Sequence, residues 1–210
     1  TEPNEDGREL SPHDPLLPAV LAVPMALGGW VAAKATLALL AGVLAALLVW
    51  TAVERFGVGR RPSTVVVLAF ALSAPLTSYG TQVYPELPAA LAVAVAVAAL
   101  TGPLARRGQW ASVAAVVALP WLSVKYAPVA VALVAVGAWT LWRRGDRRAV
   151  VSGAVVLVGA GLLYLLVHQV VYGGWTVYAA GDHFQETGEF SVTGQSPDYL
   201  SRTQRLVGLL

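Results

Sequence analysis

The chain has 210 residues, 57% of them hydrophobic and only 12% charged, with a mean hydropathy of +0.65. That balance excludes an ordinary soluble domain and indicates a polytopic membrane protein. Cysteine is absent, which rules out a disulfide framework and a thiolate metal site. The net charge of +2 sits on arginines in short loops between apolar runs, a distribution unsuited to nucleic acid.

In chain order, residues 1–15 are polar and acidic (Glu2, Glu5, Asp6, Glu9, Asp14) and end in Ser11-Pro12-His13-Asp14-Pro15, which reads as a loop. Residues 16–29 are apolar, but Pro18 and Pro24 interrupt them and Gly28-Gly29 closes them. A run this short of the roughly 20 residues that a bilayer requires is expected to be interfacial or re-entrant. Spans are then expected at 30–53, 63–79, 85–101, 109–124 with a kink at Pro120, 128–142 and 149–171. The third should start at Pro85, where the missing N–H of proline costs a helix nothing. Residues 173–200 form a polar loop with Asp182, His183, Glu186, Glu189 and Asp198, and a further helix is expected from Ser201. The sequence starts without methionine and stops inside an apolar run. It is therefore expected to be a fragment of one transmembrane domain covering 1–210. The expected fold is all-α: a polytopic bundle of about six transmembrane helices plus the re-entrant segment.

Charge orients this bundle. The loops near 55–62, 102–108 and 143–148, with the flanking Glu54, carry nine arginines against two acids, Glu54 and Asp146. The positive-inside rule makes them cytoplasmic and sends 1–15, 79–88, Lys125-Tyr126 and 173–200 to the outer face.

The outer face gathers most of the unusual polar residues. Tyr79, Gln82, Tyr84 and Glu86 share one short turn between apolar runs. A carboxylate among hydroxyls and an amide holds sugar hydroxyls or acts as a general base, and this reading outweighs the competing one, stabilisation of an acid by the helix N-terminus. Lys125 and Lys34 either snorkel to headgroups or meet a lipid phosphate, with Tyr126 assisting Lys125. His168 is either hydrogen-bonded inside the bundle or part of a site. His13-Asp14 and Asp182-His183 lack the spacing of a defined metal motif. Trp121, Trp139 and Trp142 read as interfacial anchors or packing residues.

Three stretches together resemble the multi-spanning GT-C-type glycosyltransferases of high-GC bacteria and their relatives. They are Ser-Pro-His-Asp-Pro-Leu-Leu-Pro (11–18) leading to Leu-Gly-Gly (27–29), Tyr-Gly-Thr-Gln-Val-Tyr-Pro-Glu-Leu-Pro (79–88), and Leu-Pro-Trp-Leu-Ser-Val-Lys-Tyr-Ala-Pro (119–128). The resemblance implies a multi-pass enzyme of the inner (plasma) membrane with an extracytoplasmic active face. Such an enzyme moves a sugar from a polyprenyl-phosphate donor to a glycan or lipid acceptor of the cell envelope. It further implies a carboxylate base in the first outer loop after the first helix. That helix is not in this sequence, which leaves the base either upstream of Thr1 or at Asp14. Glu86 matches the outer Tyr-Pro-Glu element and Lys125 the Lys-Tyr element. No cofactor motif is present, and the need for a divalent metal stays open. A transporter or lipid flippase, and a non-catalytic membrane scaffold, remain competing classes.

Overall fold

The computed structural model of the chain describes residues 14–73, 77, 79–80 and 82–177. Most of the expected loops 1–15 and 173–200 (residues 1–13 and 178–200) and the helix from Ser201, with His13, Asp182 and His183, lie outside the described residues. The chain divides into two compact units, His13–Tyr164 and the segment from Leu165 onward.

Among the described residues the structure is all-helical, without strands. The α-helices are α1 (Leu16–Phe56), α2 (Arg60–Ala71), α3 (Glu86–Leu100), α4 (Arg106–Leu122), α5 (Ala127–Arg143) and α6 (Arg147–Tyr172). A 3-10 turn, Val124–Tyr126, joins α4 to α5. Three stretches are long and apolar enough to cross a membrane: Leu16–Phe56, Val124–Arg143 and Arg147–Tyr172. Their outward faces carry exposed Leu, Val and Trp side chains, as helices facing lipid do.

The separation expected between 16–29 and the span after it is present inside α1. Gly29 lies at φ 58°, ψ −150°, a region that essentially only glycine occupies, and Gly28 is also non-helical. A short apolar helix therefore precedes a long one. At the far end Gly57, at φ 67°, closes α1 in the left-handed region; its N–H donates to the Val53 carbonyl at 3.1 Å, and the Val58 N–H donates to the Ala52 carbonyl at 3.0 Å.

The run expected at 63–79 starts earlier and stops sooner, as α2 ends at Ala71. Proline at position 75 lacks the N–H that would continue the ladder to the Ala71 carbonyl. The Thr77 hydroxyl donates to that carbonyl instead, at 3.1 Å, and the Ser73 hydroxyl caps Phe70 at 2.6 Å. The 12 residues of α2, 15 of α3 and 17 of α4 are each short of the roughly 20 that a perpendicular span requires.

Helix α3 is the centre of the first unit, packing on α1, α4 and α5. Its sequence alternates alanine and valine, and Ala89, Ala92, Ala94, Ala96 and Ala98 are buried. Small side chains let helix backbones approach closely where lipid offers no hydrophobic drive between helices. Leu37 of α1, Leu87 of α3 and Leu119 of α4 are fully enclosed in the same core.

The polar groups sort to opposite ends of this unit. At the arginine end, Arg55 Nε donates to the Ala98 carbonyl at 3.1 Å, and its guanidinium lies 4.6 Å from the Trp50 ring centroid. Arg144 donates to the Pro103 carbonyl at 2.6 Å and to Gly102 at 3.4 Å. A Cβ on Gly102 would stand 2.7 Å from the Arg55 guanidinium, so this loop accepts no side chain without displacing the arginine. All three arginine loops thus meet around the end of α3. Trp139 and Trp142 are exposed there beneath Arg143 and Arg147, as anchors would be. Trp121 is at the other end and is a packing residue, set edge-to-face against Tyr164 at 5.4 Å.

Candidate functional site

The carboxylate end is built from the starts of α1 and α3 and the turn after α4. Pro85 takes the N-cap position of α3 at φ −72°, which puts Glu86 in the first helical turn. The approach to it is tight, with the Tyr84 N–H donating to the Gln82 carbonyl at 2.9 Å. The rings of Tyr79 and Tyr84 meet edge-to-face, 6.3 Å apart.

Helix α4 runs through Pro120 and stops at Leu122, because Ser123 is fully extended at φ −168°, ψ 137°. One 3-10 turn follows before α5, which accepts Pro128 in its first turn. That turn carries Lys125 across to α3, where Nζ meets Glu86 Oε1 at 2.6 Å. The pair is half open to the outside, with Lys125 50% and Glu86 30% exposed. The Lys125 ammonium also lies 5.2 Å from the Tyr126 ring centroid.

Beneath this open pair two polar atoms are buried without a hydrogen-bond partner: the second carboxylate oxygen, Glu86 Oε2, and the Tyr126 hydroxyl. A buried polar atom left unpaired costs about 1–3 kcal/mol, so native structures keep few of them, and those few invite a functional explanation.

Asp14 secures the other side of the same turn. It is buried, and its Oδ2 accepts the Val124 N–H at 3.2 Å while Oδ1 accepts the Tyr164 hydroxyl at 3.2 Å. Asp14 therefore ties the entry to α1, the turn bearing Lys125 and the middle of α6. Its oxygens are engaged in structure, unlike Glu86 Oε2.

Of the residues singled out in the sequence, Glu86, Lys125 and Tyr126 come together directly. Asp14 stands behind their turn, and Tyr79 and Tyr84 flank the start of α3. Gln82 is on the same approach with its side chain exposed. Lys34 is not brought in. It is exposed on α1, beside the buried Ala33, and makes no ion pair or hydrogen bond among the described residues. His168 belongs to the second unit, where it is fully buried and its ring stacks on Tyr172 at 5.2 Å.

Two contributors escaped the sequence reading, Tyr164 and the Val124 N–H. Tyr164 carried a usable signal, since a tyrosine inside an apolar helix needs a partner for its hydroxyl. The Val124 amide carried none. Among the described residues no three His, Asp or Glu side chains gather as a metal centre requires.

The arrangement presents a partly exposed, ion-paired ammonium, a carboxylate with one unpaired oxygen, and a buried phenol hydroxyl on one small surface. It suits a ligand that pairs an anion with hydroxyl groups. Compared with protein families, characterised proteins and solved structures, the chain matches none.

Proposed function

We propose that this chain works as a membrane glycosyltransferase of GT-C type, transferring a sugar from a polyprenyl-phosphate donor to a glycan or lipid acceptor. The observation that carries the proposal is the Glu86–Lys125 pair with its buried, unpartnered Oε2. In this reading the donor phosphate takes over Lys125, and the carboxylate it leaves accepts the proton of the acceptor hydroxyl. The acceptor oxygen bonds the anomeric carbon as the glycosyl–phosphate bond breaks, and the lipid phosphate departs with the electron pair. Lys125 offsets the charge on the departing phosphate, and the Tyr126 hydroxyl and the Tyr79–Tyr84 pair position the sugar. Asp14 acts as a positioning residue through the Val124 turn.

The finer architecture belongs to the same proposal. The shorter helices α2, α3 and α4 complete about six spans, the arginine end faces the cytoplasm, and the carboxylate end faces outward in the inner membrane.

The test is transfer in proteoliposomes loaded with labelled polyprenyl-phosphate sugars and a cell-envelope extract. Glu86→Gln is expected to lower transfer by about 10²–10⁴-fold, the usual contribution of a general base. Lys125→Met should fall with it. Undiminished transfer in both variants would remove the site from Glu86 and Lys125. One observation favours a transporter instead: α1 is broken at Gly28-Gly29, and discontinuous helices line transport sites. Solute or lipid movement without transfer from any donor would decide for that class.

A further inference from the structure

At the arginine end, away from Glu86, an apolar cavity of about 110 Å³ opens between α4, α5 and the first half of α6. Its walls include Gln109, Val113, Gly137, Leu141, Gly153 and Leu157. Gly137 and Gly153 bring small faces of α5 and α6 to the cavity. Such faces ordinarily let helices close on each other, yet at Gly153 an added Cβ would meet nothing within 4 Å. Its walls are mostly apolar, which suits hydrocarbon.

Positive charge is in excess in the helix turns beside it. Arg106 and Arg107 lie within one turn of the lining residue Gln109, and Arg148 directly precedes the lining residue Ala149. All three are exposed and make no ion pair or hydrogen bond among the described residues. Arg55 and Arg144 are already engaged by the carbonyls of Ala98, Gly102 and Pro103. The nearby acid Asp146 is also engaged, its Oδ1 accepting the Ala149 N–H at 3.0 Å.

We propose that this groove is a binding site for one anionic phospholipid. An acyl chain lies between α5 and α6, and the headgroup phosphate sits among Arg106, Arg107 and Arg148. The apolar walls select hydrocarbon, and the unpaired arginines select the anionic headgroup over a zwitterionic one. The proposal is independent of the transferase reading, because it concerns the opposite end of α3 and α4 and its test reads lipid retention, not transfer.

The experiment offers the detergent-purified protein equal amounts of phosphatidylglycerol and phosphatidylcholine and reads retained lipid by native mass spectrometry. One phosphatidylglycerol should be retained in clear preference. Gly153→Leu, whose side chain enters the open groove, should lose it while thermal unfolding stays close to that of the parent. Arg106→Gln and Arg107→Gln should lower the preference by about fivefold each. Equal retention of both lipids by the parent protein would overturn the proposal, as would full retention by Gly153→Leu. Should that variant fail to fold, an unchanged preference in the arginine variants overturns it as well. A lipid-free dimer of the parent protein would give the groove to a second copy of the chain and end the lipid assignment.

Discussion

The two ends of the first unit treat their polar groups in opposite ways. At the arginine end, charged side chains satisfy backbone acceptors: Arg55 and Arg144 hold the carbonyls of Ala98, Gly102 and Pro103 where α3 stops. At the carboxylate end, Asp14 does the same for the Val124 amide and the Tyr164 hydroxyl, but Glu86 Oε2 and the Tyr126 hydroxyl are left open. Charge alone therefore does not locate a site in this protein. The richer collection of charge includes structural staples, and although the Thr51 hydroxyl beside Arg55 also lacks a partner, only the smaller collection leaves an oxygen of a charged group buried and unpaired. Asp14 and Glu86, two carboxylates at one end, differ in the same way.

The largest stability effect should come from Asp14. Replacing it by alanine removes the acceptor from two donors at once, so Asp14→Ala should cost about 2–4 kcal/mol, read as the loss in thermal unfolding of the purified protein. Asp14→Asn keeps an acceptor oxygen and should recover part of that loss. If Asp14→Ala unfolds like the parent protein but loses transfer, Asp14 is the base and the contrast with Glu86 collapses.

Arg55 comes next. Arg55→Ala should cost about 1.5–3 kcal/mol, the range for a hydrogen bond to a charged group, because it leaves the Ala98 carbonyl only the long contact from the Thr101 hydroxyl at 3.5 Å. Arg55→Lys should restore little, since an ammonium cannot lie flat between Gly102 and the Trp50 ring. A full rescue by lysine would mean that only net charge matters at this end.

These two effects also mark where the sequence was legible. The arginine loops, the start of α3 after Pro85 and the break at Lys125-Tyr126 follow from local chemistry. Proline placement, apolar run length and loop charge identify them without tertiary knowledge. The bounds of α3, α4, α5 and α6 differ from those expected by three residues or fewer for the same reason. The early end of α2 also had a sequence signal, the proline at position 75, but the apolar run continues past it and masks the break. What could not be read was pairing across distance. Arg55 and Ala98 are 43 residues apart, and Asp14 and Val124 are 110 apart. A loop arginine looks the same in sequence whether it faces headgroups or caps a carbonyl. Lys125 was legible as a site residue only as one of two alternatives, and the turn geometry that brings it to Glu86 shows which group it meets.

The smallest stability effect should be at the pair itself, and that small value is what makes it informative. Both side chains are partly exposed, and exposed ion pairs contribute about 0–1 kcal/mol. A double-mutant cycle with Glu86→Gln and Lys125→Met, read by unfolding, should return a coupling inside that range. A coupling of several kcal/mol would make the pair a staple like Arg55, with no carboxylate to spare. A weak coupling has the opposite meaning, because a partner held loosely is displaced at little cost by a phosphate offering Lys125 a better contact. Glu86 is then released with its second oxygen, Oε2, already lacking a donor, and the same substitutions, weakly coupled in unfolding, should abolish ligand-dependent stabilisation by a polyprenyl-phosphate sugar.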